Sequence, residues 1–251
     1  MDKLTDQVAI VTGAASGIGK AVAEVFAEAG VAGLMLADIN AGDLEVVGES
    51  ICSTTRVDAQ TSATDASKED DVNHMVVAAV DHFGRIDILI NNAGIAPTTT
   101  WSETTLENWN HMLNTNLNSA FLCYKAVFPH MQARKYGRVV NISSAGAVLG
   151  SVCAHPAYGV SKAGMIAMTK SAAKAHAKDG ILVNAIAPGS IDTPMADRFG
   201  ERQKQEFRDA TPLKRQGTAR EIADAVYYLV SDRSTYVTGA TLHVNGGSLL
   251  V

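Results

Sequence analysis

Short apolar runs rich in β-branched residues alternate with longer amphipathic segments along the whole chain. No other feature limits the fold as strongly. The runs "QVAIVTG" (7–13), "GLMLAD" (33–38), "IDILINNAG" (86–94), "GRVVNISS" (137–144), "ILVNAIAPG" (181–189) and "TLHVNGG" (241–247) read as strands. One more strand, near 57–62, is weakly marked. Residues 17–30, 41–51, 68–82, 156–178 and 219–231 read as helices, and 106–135 as one or two more. In the first, Ala21, Val22, Val25, Phe26 and Ala29 fall at helical spacing, and Gly30 ends it. Such alternation implies βαβ units, hence an α/β, doubly wound parallel sheet covered on both faces. With 47% apolar residues in 251, a substantial core is expected. No repeat or linker divides the chain, so 1–251 is expected to be one domain. Residues 190–217 carry Pro194, Gly200, Pro212 and Gly217 among charges and read as a loop with short helices. Its part 190–212 is expected to be a lid over substrate.

Several function classes drop out. A net charge of −5 leaves no basic patch fit to track nucleic-acid phosphates. No run of about 18 apolar residues would span a membrane, and no secretory signal is expected from the N-terminal residues. Cys52, Cys123 and Cys153 have no regular spacing. They read as reduced, packed thiols in a cytoplasmic protein, not as a disulfide framework or a metal site.

In doubly wound sheets, ligands sit beyond the carboxyl ends of the strands. Gly94, Ser143, Ser144 and Gly189 lie just after predicted strands. So does "VTGAASGIGKAV", which places Gly13, Gly17 and Gly19 between strand and helix. Glycines there permit a tight turn and close approach of a pyrophosphate, which the helix N-terminus favours. The frame is not that of a P-loop, because Lys20 is not followed by Ser or Thr. Asp38 ends the second strand, 19 residues beyond Gly19. A carboxylate there accepts ribose hydroxyls and repels a 2′-phosphate. Neither Ser16 nor Ile39, the positions for a compensating cation, is basic. The expected cofactor is therefore NAD (NADH), with NADP disfavoured.

Tyr158 precedes Lys162 by four residues, which puts both on one helix face, towards the strand end carrying Ser144. A phenol of pKa about 10 is protonated at neutral pH, and a close ammonium favours its ionised form. Such a phenol can exchange a proton with an alcohol or a carbonyl.

The ordered set "TGAASGIG" (12–19), Asp38, Asp65, "NNAG" (91–94), Asn116, "NISS" (141–144), "YGVSK" (158–162) and "PGSIDT" (188–193) resembles the short-chain dehydrogenases/reductases. The resemblance implies a Rossmann-like fold with a seven-stranded parallel sheet, nicotinamide chemistry and a homotetramer. It implies a catalytic tetrad of Asn116, Ser144, Tyr158 and Lys162. Ser144 would stabilise the reacting oxygen, Lys162 would grip the nicotinamide ribose, and Asn116 would hold a water leading to solvent. The cofactor would meet Gly13, Ser16, Gly17, Ile18 and Gly19. Asp65 and Ala66 would contact adenine, and Asn92, Ala93 and Gly94 the adenosine ribose. Ile191 and Thr193 would hold the carboxamide, with Pro188 and Gly189 behind the ring.

Tyr158 lies 14 residues after Ser144, one more than the family interval, so an insertion is expected within 151–157. Ser143 is the fallback catalytic serine. Another extra residue falls near 32–33, and Asn245 stands where an acidic residue would be common. His155 reads equally as a substrate contact or a solvated loop residue. Trp101 reads as surface packing before pocket wall. Arg198, Arg202, Lys204 and Arg208 are interleaved with Glu201, Glu206 and Asp209, which favours a solvated helix face over an anion site. The expected activity is NAD-dependent hydride transfer on a secondary alcohol or ketone. The rivals are an NADPH-dependent 3-oxoacyl-thioester reductase and a non-catalytic dinucleotide-binding scaffold.

Overall fold

The structure is a computed structural model and describes residues 4–150 and 154–251. In chain order the elements begin with β1 (Val8–Thr12), α1 (Gly17–Glu28), β2 (Gly33–Asp38), α2 (Ala41–Thr55), β3 (Asp58–Ala63), α3 (Glu69–Phe83) and β4 (Ile88–Asn91). Then come α4 (Leu106–Leu113), α5 (Ser119–Arg134), β5 (Gly137–Ile142), the short α6 (Gly146–Leu149), α7 (Pro156–His176) and β6 (Ile181–Pro188). The chain closes with β7 (Ile191–Asp192), α8 (Glu201–Ala210), β8 (Gly217–Thr218), α9 (Ala219–Val230) and β9 (Thr241–Val244).

Seven strands form one parallel sheet in the order β3-β2-β1-β4-β5-β6-β9. The fold is therefore the α/β Rossmann-like one. Strand order reverses between β1 and β4, which opens a crevice at their carboxyl ends. The period-2 pattern of the central strands supplies two cores. Ala9, Val11, Ile88 and Ile90 face Phe26, Ile222 and Val226 of α1 and α9. Ile10, Leu89, Val139 and Val183 face Met75, Val127 and Met131 of α3 and α5.

The weak marking of β3 has a physical cause. It is an edge strand, and only Ala59 of its six residues is buried. Between α4 and α5 the chain runs through one π-helical turn, Asn114–Asn118. The region read as a loop with short helices, 190–217, holds α8 and a 3-10 turn, Pro194–Ala196, and also a two-residue parallel pair, β7 with β8, that ends at Thr218. Strands of two residues carry no periodicity to read. Of the three cysteines, Cys123 is buried, and burial pushes its thiol up to about 12. Cys52 is exposed, against the expectation of a packed thiol, and Cys153 lies outside the described residues. The insertion expected within 151–157 also falls partly outside them. Among the described residues, no helix is long and apolar enough to cross a membrane.

Asp87 pins the far end of the sheet. It is fully buried, and its carboxylate accepts from Val8 N at 2.9 Å and from Arg85 Nε and Nη2 at 2.7 and 2.8 Å. Its backbone bonds both β1 and β5. Asp87→Ala leaves a strand amide and a partly buried guanidinium without their acceptor. It is expected to cost about 3 kcal/mol, the low end for a broken buried pair because Arg85 is partly solvated. A urea midpoint unchanged from wild type would contradict this.

Candidate active site

The turn after β1 is shaped by glycine. Gly13 has φ +66°, and a Cβ on it would lie 2.8 Å from Asn92 Nδ2. A Cβ on Gly19 would lie 2.1 Å from Gly13 O, so helix α1 packs directly onto the turn. Asn92 Nδ2 donates to Thr12 O and Gly13 O, both at 3.0 Å, and so ties the end of β4 to this turn. Ser16 is the N-cap of α1 but its hydroxyl makes no capping bond, which leaves the first-turn amides of the helix open.

A cleft of about 420 Å³ runs over this turn. Gly13, Ser16, Gly17, Ile18, Asp38, Asp65, Ala66, Asn92, Ala93, Gly94 and Thr193 all line it. Asp38 Oδ2 accepts from Ala15 N at 3.1 Å and Oδ1 from Asn40 N at 3.0 Å, so each oxygen keeps capacity for another donor. Asp65 caps its own turn, accepting from Ser67 N and Oγ at 3.0 and 2.6 Å. The Ser67 hydroxyl holds the Asp65 carboxyl below its usual range.

A second cavity, of about 480 Å³, adjoins the first and shares Ile18, Asn92, Gly94 and Thr193 with it. Ser144, Tyr158, Lys162, Pro188, Gly189 and Ile191 line it. Helix α7 delivers two of these from its first turns. Ser143 lines the cavity as well. It is buried, and its hydroxyl donates to Lys162 O at 2.8 Å, which ties the strand end to α7. Lys162 is buried, and its Nζ donates to Ile142 O at 2.8 Å.

The electrostatics differ from the sequence expectation. Burial pushes the Tyr158 phenol up, a hydrogen bond with Ser144 and the charge of Arg198 pull it down, and Lys162 is not among the groups that shift it. The ammonium sits 5.9 Å from the Tyr158 ring centroid, and burial pushes it down to about 8.

Two predicted residues line neither cavity. Gly19 is packed beneath Gly13. Asn116 is fully buried on the π turn, where Oδ1 accepts from Ile95 N at 2.7 Å and Nδ2 donates to Ile95 O at 2.8 Å. Its side chain thus shapes the loop after β4. Asn245 likewise serves the backbone, bonding Leu249 O and Gly247 N.

His155 is neither a substrate contact nor solvated. It is 1% exposed, and its Nδ1 accepts from Ala157 N at 3.0 Å as the N-cap of α7. The other ring nitrogen then carries the proton and donates to Asn108 Oδ1, 2.9 Å away. Its amide donates to Pro97 O and its carbonyl accepts from Tyr158 N. Trp101 is 76% exposed and lines neither cavity. Leu149, Arg198, Phe199 and Phe207 also line the second cavity. Only Arg198 of these was singled out in the sequence, as one of a charged cluster.

The comparisons agree with this geometry. Residues 13–248 match the family model described as enoyl-(acyl carrier protein) reductase. The chain is 36% identical over 251 residues to 3-oxoacyl-[acyl-carrier-protein] reductase FabG of Vibrio cholerae, covering 99% of each chain. It is 39% identical to the (2S)-[(R)-hydroxy(phenyl)methyl]succinyl-CoA dehydrogenase subunit BbsD of Thauera aromatica, covering 98% of each. The crystal structure of levodione reductase superposes with a TM-score of 0.91 at 33% identity, over 97% of each chain. The chain belongs to the short-chain dehydrogenase/reductase family. It is an oxidoreductase for a keto or hydroxy substrate, in a family that works with NAD(P).

Burial holds His155 below its ordinary pKa of 6.5. The unfolded chain therefore binds the proton more readily, and the stability held by the cap is full above pH 6.5 and lost as pH falls through the folded value. The expected loss for His155→Ala is about 1 kcal/mol near neutrality, typical of a lost N-cap. His155→Asn should restore the cap and flatten the dependence between pH 7 and 5, as read by thermal melts. Identical pH slopes for wild type and His155→Asn would contradict the assignment.

Proposed function

We propose that the chain transfers hydride between a secondary alcohol or ketone and NAD, with Tyr158 as the general acid/base. The observation that carries this reading is the convergence of Ser144, Tyr158 and Lys162 on a cavity continuous with the glycine-turn cleft.

The residues present fit a dinucleotide. Gly17 has φ +54°, and a Cβ on it would lie 3.5 Å from Thr193, so any side chain there would fill the crossing of the cleft. The open amides of α1 suit a pyrophosphate. Asp38 would take the adenosine ribose hydroxyls, Asp65 and Ala66 the adenine, and Asn92, Ala93 and Gly94 the ribose beside them. Pro188, Gly189, Ile191 and Thr193 would hold the nicotinamide end, which supplies or accepts the hydride. Among the described residues lining the cleft there is neither Lys nor Arg, so a 2′-phosphate would meet Asp38 with no countercharge. That favours NAD over NADP.

Tyr158 Oη takes the hydroxyl proton of the alcohol, or returns it to the carbonyl. The Ser144 hydroxyl donates to the same oxygen and stabilises the charge that grows there. Lys162 holds its proton beside the ring and would bond the nicotinamide ribose. Asn116 keeps the neighbouring loop in place. Residues 190–212 close over the substrate as a lid. We take the whole of 1–251 as one catalytic domain, working in the reducing cytoplasm. Exposed Phe121 and Val160 on α5 and α7 suit assembly of copies, and a homotetramer is the expected form.

The names of several relatives favour a second reading, reduction of a 3-oxoacyl thioester. Activity on an acetoacetyl thioester exceeding that on simple ketones would support it. A non-catalytic scaffold would show no turnover with either.

Tyr158→Phe is expected to lower kcat by at least about 100-fold while NADH affinity stays near wild type. Retained turnover would reject the role of Tyr158. For the cofactor, kcat/KM with NAD should exceed that with NADP, and Asp38→Ala should narrow the gap by about tenfold or more. A wild-type preference for NADP would reject the role of Asp38.

A further inference from the structure

Helix α8 has an apolar face but no core beneath it. None of its ten residues is buried. Its charges pair along its own length, Arg202 with Glu206 and Arg208 with Glu201. Its one large apolar residue, Phe207, is half-buried and lines the second cavity. The Phe207 ring meets Phe199 edge-on, with centroids 5.2 Å apart and planes at 83°. Phe199 is held in turn by Arg198, whose guanidinium carbon lies 4.4 Å from the ring centroid. A helix this short is marginal in water and takes its stability from packing an apolar face. Here that face is turned to a cavity. Leu149 and Met195 line the same cavity and are 59% and 44% exposed. Hydroxyls on the lid side are engaged within the fold. Thr211 Oγ1 donates to Phe207 O at 2.8 Å, and Ser190 Oγ accepts from Gln216 Nε2 at 3.0 Å. Among the described residues, no Asp, Glu or Gln lines this cavity.

We infer that the substrate carries a bulky apolar body, an alkyl chain or a ring, buried among Phe199, Phe207, Leu149 and Met195, and that Phe207 is the residue that selects it. This rests on the oxidoreductase reading for the position of the reacting carbon, since Ser144 and Tyr158 line the same cavity. Each methylene moved from water onto such a wall adds to binding, and aromatic rings offer it a large contact area. A sugar or polyol would bring hydroxyls to a wall whose own hydroxyls are engaged, and would leave them unpaired. The apolar body also gives α8 the packing it lacks. Binding and the seating of α8 are then one event, because the same Phe207 ring is covered in both. Phe207 takes no part in the proton transfer.

The test compares wild type with Phe207→Ala on matched carbonyl pairs, with both NADH and NADPH supplied. One pair is 2-octanone and 2-butanone. The other is the 3-oxooctanoyl and acetoacetyl thioesters of N-acetylcysteamine. Each pair differs by four methylenes. In wild type the longer member should have the higher kcat/KM by about 10- to 100-fold, and dihydroxyacetone should be poorer than 2-butanone. Phe207→Ala should lower the chain-length ratio about tenfold, while Phe207→Leu keeps most of it. Leu149→Asn, at an exposed position, tests the same wall should Phe207→Ala fail to fold, and is expected to lower the ratio about threefold or more. Val46→Ala, on α2 and outside both cavities, should keep the wild-type ratio. Hydrogen exchange of the α8 amides gives a readout that needs no turnover. Octanamide should slow it about tenfold in wild type and leave it unchanged in Phe207→Ala, and acetamide should do neither. If neither pair is turned over but octanamide protects α8 through Phe207, the apolar site stands and the oxidoreductase reading fails. Chain-length ratios near one in wild type, ratios that survive both Phe207→Ala and Leu149→Asn, or α8 exchange indifferent to octanamide overturn the inference.

Discussion

A pair of buried hydrogen bonds running in opposite directions joins β5 to α7, and the site depends on it. Lys162 donates from its ammonium to Ile142 O, and Ser143 donates from its hydroxyl to Lys162 O, each at 2.8 Å. Lower down, Asn141 Nδ2 donates to Thr169 Oγ1 at 2.8 Å. These bonds fix the azimuth of α7 against the strand. Since Ser144 is the next residue on the strand side and Tyr158 lies one turn before Lys162, they also fix the distance between the two groups that would share the substrate oxygen. All of these groups are buried, so a slip of the helix would strand a charge and several polar atoms.

The same logic extends along the carboxyl ends of the other strands. Thr12 Oγ1 accepts from Asn92 N and Ala93 N, and Asn92 bonds back to the glycine turn. Asn116 reaches from the π turn to hold both polar atoms of Ile95. A π turn projects one residue out of helical register, which here lets a buried amide turn towards the loop after β4. Loops at the mouth of the cavities are thus held by side chains that bond their backbone. His155 does this for α7, and it is the reason the helix begins where it does.

Much of this was legible in the chain because strong periodicity and strand-end position are local properties. The central strands and α1 announce themselves, and the glycine turn, Asp38, Ser144, Tyr158 and Lys162 follow from their places at strand ends or one helical turn apart. The rest depends on partners distant in sequence. β3 is hidden because an edge strand buries little, and β7 with β8 because two residues make no pattern. His155 looked like a loop residue because its cap and its contact with Asn108 exist only once α4 packs beside α7. Arg198, Arg202, Lys204 and Arg208 look alike in sequence, and only the fold shows that Arg198 lines the second cavity. The sequence ties the acidity of Tyr158 to the charges of Lys162 and of the nicotinamide ring, whereas in the fold burial pushes the phenol up against the pull of Ser144 and Arg198.

The account turns on an ammonium that is buried and tethered to a strand carbonyl, and that amine can be watched directly. Nitrogen-15 NMR of lysine-labelled protein, assigned with Lys162→Arg, follows the Nζ resonance through a pH titration. The account predicts that it titrates near 8, well below the ordinary 10.5. Titration at the ordinary value would mean a solvated amine, with no clamp between β5 and α7 and no fixed place for Tyr158.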